Sequence, residues 1–165
     1  MLIINQRLEQ AAGWDAELRL TFELRSKTRL RTRASNGEEV GLFLSAGAPL
    51  ADGQLLLAED GRVLRVLAAD EPLMHVRCAN AQELCRAAYH LGNRHVHLQV
   101  GDGWLRLLDD SVLEQMLQQL GAEVSRLQAP FHPESGAYGG GHHHSHGKDA
   151  AFQYAPKLHL FGQPA

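Results

Sequence analysis

Ten histidines are spread unevenly through the 165 residues, and His142, His143, His144 and His146 fall within five positions of the stretch GGGHHHSHGKD. Imidazole is a borderline ligand suited to nickel, copper and zinc. Near neutral pH it is mostly uncharged, so it takes a metal without first losing a proton. Four such side chains on a Gly-rich stretch read as a collector of late transition metals. The run is interrupted by Ser145 and followed by the apolar FQYAPKLHLFG, which sets it apart from an unbroken terminal purification tag. Copper outcompetes nickel and zinc at nearly any nitrogen site, so these histidines alone do not name the metal. A solvated polar tail without a ligand is the plain alternative.

A second group comprises His75, His90, His95 and His97. If HVHLQV is a strand, His95 and His97 share one face while Val96 and Leu98 take the other. Cys78 and Cys85 stand seven apart, which is not a CxxC spacing, and both read as small buried side chains. The chain carries no HExxH, no GxSxG elbow, no P-loop and no paired-carboxylate site. His132 and Glu134 of FHPE are isolated from other candidate ligands. A metallohydrolase needs three fixed ligands and an open position, which a mobile polyhistidine is poor at supplying. Metal exchange without covalent chemistry is the expectation.

The elements that must position these side chains fall into two groups. Up to about Asp70 the chain reads as short strands, LIIN, ELRLTFEL, KTRLRTR, EVGLFLS, QLLLA and RVLRVLA, separated by SNG, AGAP, ADG and EDG. In ELRLTFEL the alternation of Leu18, Leu20, Phe22 and Leu24 is that of one half-buried strand. After Asp70 come a strand PLMHVRC and a helix NAQELCRAAYHLG, with Asn80 as N-cap and Gly92 past its end. A hairpin follows, HVHLQV and WLRLL joined by GDG, then a helix DSVLEQMLQQLG stopped by Gly121, then a strand EVSRLQ. The expected class is α+β: a small all-β module over 1–70, a ferredoxin-like βαββαβ domain over 71–130 with two helices on one sheet face, and a flexible His-containing tail over 131–165.

Charge narrows the partners. The net charge is −3 with histidine neutral, too mild for a general nucleic-acid binder, and HVHLQV and WLRLL lack the repeated aromatics on which bases stack. Arg25, Lys27, Arg29, Arg31 and Arg33 occupy odd positions, so an extended chain would set five cations on one side, as a solvated face or a patch for an acidic partner. No apolar run is long enough to span a bilayer and no signal peptide is evident, so a cytosolic protein is expected.

Taken together, KTRLRTRASNGEEVGLFLSAGAPLADGQLLLAEDGRVLRVLAADE, AYHLGNRHVHLQV and FHPESGAYGGGHHHSH resemble the UreE family of urease accessory nickel chaperones over nearly the whole chain. GNRH, Gly92 to His95, is the specific motif. The resemblance implies a peptide-binding-like first domain and a head-to-head homodimer. It also implies that His95 of each protomer meets a single Ni(II), with further ligands from water or from His142, His143, His144 and His146. A Gly-rich segment of about ten residues spans roughly 17 Å, enough to bring tail histidines near such a centre. It further implies delivery of Ni(II) as cargo, with Zn(II) or Cu(II) also able to bind, to urease apoprotein alongside other accessory proteins including a GTPase. General transition-metal buffering or an assembly scaffold is the alternative. Some relatives carry extra histidines before the second helix; LLDDSVLEQ has none, so accessory sites in the body are not expected.

Overall fold

The computed structural model describes residues 1–135. The first domain is a six-stranded sheet formed by β1 (Leu2–Leu8), β2 (Ala16–Leu20), β3 (Arg29–Arg33), β4 (Glu39–Phe43), β5 (Leu55–Ala58) and β6 (Val63–Ala68). The strand order is β2-β6-β5-β1-β4-β3, with β1–β4 and β2–β6 parallel and the other pairs antiparallel. Its two edges approach each other where Ser35 N–H donates to the Glu17 carbonyl at 2.8 Å and Glu17 N–H to Ser35 Oγ at 3.0 Å. Alternate residues of the strands, including Ile4, Leu18, Leu20, Leu42, Leu56 and Val66, fill one enclosed core.

ELRLTFEL is not a single strand. The alternation runs through Leu18 and Leu20, but Thr21 then caps a one-turn helix α1 (Phe22–Arg25), its Oγ1 accepting from Leu24 N–H. A Thr side chain offers the backbone this alternative to continuing a ladder. The expected five-cation line is broken at the same point. Arg25 lies in α1 and is only 4% exposed, and Lys27 pairs with Glu23. Only Arg29, Arg31 and Arg33 line the exposed side of β3, where Arg31 and Arg33 share Glu39.

The second domain runs β7 (Asp70–Arg77), α2 (Ala81–Gly92), β8 (Gln99–Gly101), β9 (Trp104–Leu108), α3 (Ser111–Gln119) and β10 (Glu123–Pro130), with an antiparallel sheet ordered β10-β7-β9-β8. Asn80 Oδ1 accepts from Glu83 N–H, and Asp110 Oδ1 from Val112 and Leu113 N–H, so both helices begin on side-chain caps. Both helices pack on one face of the sheet: Ala87, Leu91 and Leu117 meet Met74, Val76, Leu105 and Leu107. Val112 points away and is exposed, and Cys85, expected inside, is exposed as well.

Phe22 joins the two domains. It leaves the first core and packs with Leu73 and with Phe131, the first residue after β10, whose side chain is 0% exposed. Phe22 N–H donates to Glu71 Oε2 at 2.7 Å. The Arg25 guanidinium donates to the carbonyls of Leu50 and Phe131, tying α1 to both sides of the junction. Burial lowers the pKa of Arg25, and the neighbouring Glu71 and Asp52 carboxylates offset part of that cost. Phe131 to Glu134, within the span expected as tail, make contacts with both domains. Glu134 N–H donates to the Leu98 carbonyl at 2.7 Å, and His132 N–H to Gln99 Oε1 at 3.2 Å.

Candidate metal centre

The two helices of the second domain end alike. In α3, Gly121 N–H donates to the Gln118 carbonyl and Ala122 N–H to the Leu117 carbonyl, both at 3.0 Å, with Gly121 left-handed at φ 81°. In α2 the same two bonds run from His95 N–H to Gly92 at 2.9 Å and from Val96 N–H to Leu91 at 3.3 Å. The left-handed residue there is His95, with φ 56°. This is the Schellman arrangement, completed by Val96 packing into the same cluster as Leu91. Glycine normally fills that position because a Cβ is strained in it. Among the described residues His95 is the one non-glycine residue with positive φ.

The expected stop, Gly92, instead lies inside the last turn of α2. The signal available in the sequence was the apolar pair Leu91 and Val96, five apart, as Leu117 and Ala122 are in α3. The strand expected for HVHLQV is also shorter, because β8 begins only at Gln99. His95 and His97 therefore do not share a strand face. His95 is exposed on the turn, at the carbonyl end of α2 where the helix dipole favours a cation. The His97 ring meets Phe22 edge-on at 4.9 Å. Together with His132, Asp52 and Glu134 it lines a cleft of about 670 Å³ between the domains.

The other two candidates of that group lie apart. His90 is half-buried on α2 beside Tyr89. His75 sits in β7 on the sheet face opposite the helices, between Arg77 and Arg106. Burial, and to a lesser degree Glu83, pushes the Cys78 thiol up, away from the thiolate a metal would need. Among the described residues no three His, Cys, Asp or Glu side chains converge to hold an ion. His142, His143, His144, His146 and His159 lie outside the described residues. One protomer thus presents an exposed imidazole at GNRH on a turn held by two backbone hydrogen bonds, and a metal there needs donors from elsewhere.

Residues 3–69 match the family profile described as UreE urease accessory protein, N-terminal domain, and residues 71–155 match its C-terminal domain. The chain belongs to the UreE family of urease accessory proteins. It is 68% identical over 163 residues to the urease accessory protein UreE of Azotobacter vinelandii. It is 66% identical to that of Pseudomonas fluorescens strain Pf0-1 and 64% to that of Ectopseudomonas mendocina, in each case over 98% of both chains. By that family description UreE proteins are accessory proteins rather than enzymes. Among the described residues no helix is long and apolar enough to cross a membrane.

Proposed function

We propose that this UreE chain is a cytoplasmic nickel metallochaperone that works as a homodimer and delivers Ni(II) for maturation of the urease active site. The observation that carries this reading is His95, an exposed imidazole held in a left-handed cap where the matching turn of α3 uses Gly121. In a head-to-head dimer the two copies of His95 meet one Ni(II) across the two-fold axis, as an isologous contact requires. Two imidazoles leave an ion that favours more ligands under-coordinated, and His142, His143, His144 and His146 or water complete the sphere. Zn(II) and Cu(II) compete for the same nitrogens. The strand order β10-β7-β9-β8 supports reading the second domain as ferredoxin-like. Ligand exchange moves the metal on to apo-urease, in company with other accessory proteins including the GTPase.

Equilibrium dialysis against nickel tests the site, and light scattering with and without nickel tests the dimer. The expected results are a large loss of affinity in His95→Ala, a smaller loss for any single tail substitution, and a dimer in the presence of nickel. If His95→Ala binds as tightly as the parent while truncation after Gly139 abolishes binding, the chain is a tail-based metal buffer. A monomer at high concentration with nickel present overturns the shared-ion centre.

A further inference from the structure

The face of the second sheet opposite the helices is covered only in part, where Leu73, Leu127 and Ala129 lie against Phe22 and Phe131. Beyond that contact a polar row crosses all four strands: Gln99 pairs with Arg106, Arg106 with His75, and His75 with Ser125. In the adjoining row Gly101 pairs with Trp104, and Arg77 with Glu123. The Trp104 indole rests against Gly101, where a Cβ would come within 2.0 Å of it. The Arg106 guanidinium lies over the same ring, 4.4 Å from its centre. The His75 ring is 5.4 Å away. The Nε–H groups of Arg77 and Arg106 point at different nitrogens of His75, each at 3.3 Å.

This cluster holds more donors than acceptors. A neutral imidazole accepts at one nitrogen and carries a proton on the other, so His75 satisfies one guanidinium and opposes the second. Neither Arg77 nor Arg106 has an ion-pair partner among the described residues. Arg31, Arg33, Arg62, Arg65 and Arg126 all have one. Glu123 stands across from Arg77 in the ladder without pairing with it.

We propose that this open half-face docks an extended acidic segment of a partner protein, with carboxylates two residues apart meeting Arg77 and Arg106. Alternate side chains of an extended segment lie about 6.6 Å apart. Diagonal positions on neighbouring antiparallel strands, such as 77 and 106, lie about 7–8 Å apart. Each guanidinium can then grip one carboxylate in a charge-assisted pair. Nucleic acid fits less well, because the indole on which a base would stack already has Gly101 against it and the Arg106 guanidinium over it. None of these residues belongs to the proposed nickel centre, so the two readings stand or fall separately.

The test uses the full chain without metal and with Trp14→Phe, which leaves Trp104 as the fluorescent reporter, since the chain has two tryptophans. The probe is an end-blocked Gly-Glu-Ser-Glu-Gly peptide at low salt. The expected result is a saturable change in Trp104 emission that weakens as salt screens the charges. Affinity should fall at least about tenfold in the folded double variant Arg77→Gln, Arg106→Gln, and a lysine version of the peptide should give no change. The proposal is overturned by the absence of saturation, by equal affinity in the double variant, or by tighter binding of a single-stranded oligonucleotide of matched charge.

Discussion

Replacing His95 with glycine separates what the backbone wants at that position from what the imidazole does there. At φ 56° a Cβ crowds the following carbonyl, a strain of about 1–2 kcal/mol that glycine does not carry. His95 is exposed, and its side chain makes no hydrogen bond among the described residues, so little packing is lost with it. His95→Gly should therefore stabilise the metal-free protein by about 1 kcal/mol. For a chain of this length that raises Tm by about 2–4 °C. His95→Ala keeps the Cβ, and so the strain, and should show no such gain. In the proposed dimer both variants would remove the two central ligands at once, and nickel affinity should drop about tenfold or more, equivalent to about 1.4 kcal/mol per decade. Thermal melts of apo protein and dialysis against nickel read the two effects independently. If His95→Gly is less stable than the parent, the turn is not strained. If it binds nickel unchanged, the fixed point of the centre lies elsewhere.

Phe131→Ala empties the fully buried space between Phe22 and Leu73 and should cost about 3–5 kcal/mol in denaturant unfolding. Gly101→Ala places a methyl against the Trp104 indole, so emission from Trp104 should shift to the red as the ring is driven into water. Burial first, then Arg106 and Arg77, hold the pKa of His75 below its ordinary 6.5. The unfolded chain then binds the proton more readily, and stability falls as pH drops through 6.5 toward the lower folded value. His75→Gln should flatten that part of a stability profile measured between pH 7 and pH 5.

Much of the architecture follows from local pattern. Leu18 and Leu20 alternate into the first core, Asn80 caps α2, and Gly121 ends α3, because period, cap chemistry and the freedom of glycine are all local properties. What stayed hidden depends on contacts between distant residues. Phe22 continues the alternation of Leu18 and Leu20 by type, yet it turns into α1 because Leu73 and Phe131 await it. Arg25 reads as one more surface cation, but the carbonyls of Leu50 and Phe131 draw it inside. At the candidate centre the motif GNRH was visible while the geometry was not. With Gly92 available as a helix stop, only the apolar pair Leu91 and Val96 hints at the later turn, and the 91-to-96 bond is what marks His95 as the left-handed residue.

That geometry bears directly on how a metal could be handed on. A residue just beyond the last turn of α2 is oriented by two backbone hydrogen bonds and by Val96 in the core. Its position is thus fixed by the fold, although its imidazole contacts little of it. A closed cage of four such ligands would hold an ion firmly and release it slowly. In the proposed dimer, one imidazole per protomer on a turn fixed by the fold would face its own copy across a two-fold axis, making a centre with few fixed bonds and several replaceable ones. On that proposal each tail histidine that leaves is replaced by an incoming donor from an acceptor site, so no step has to expose a bare ion. On the same proposal the loss of His95 has no such substitute, since among the described residues no three His, Cys, Asp or Glu side chains gather to form another site. The asymmetry between a costly His95 substitution and cheap single tail substitutions is thus the signature of transfer by stepwise exchange. A tail that merely buffers metal would show the opposite order.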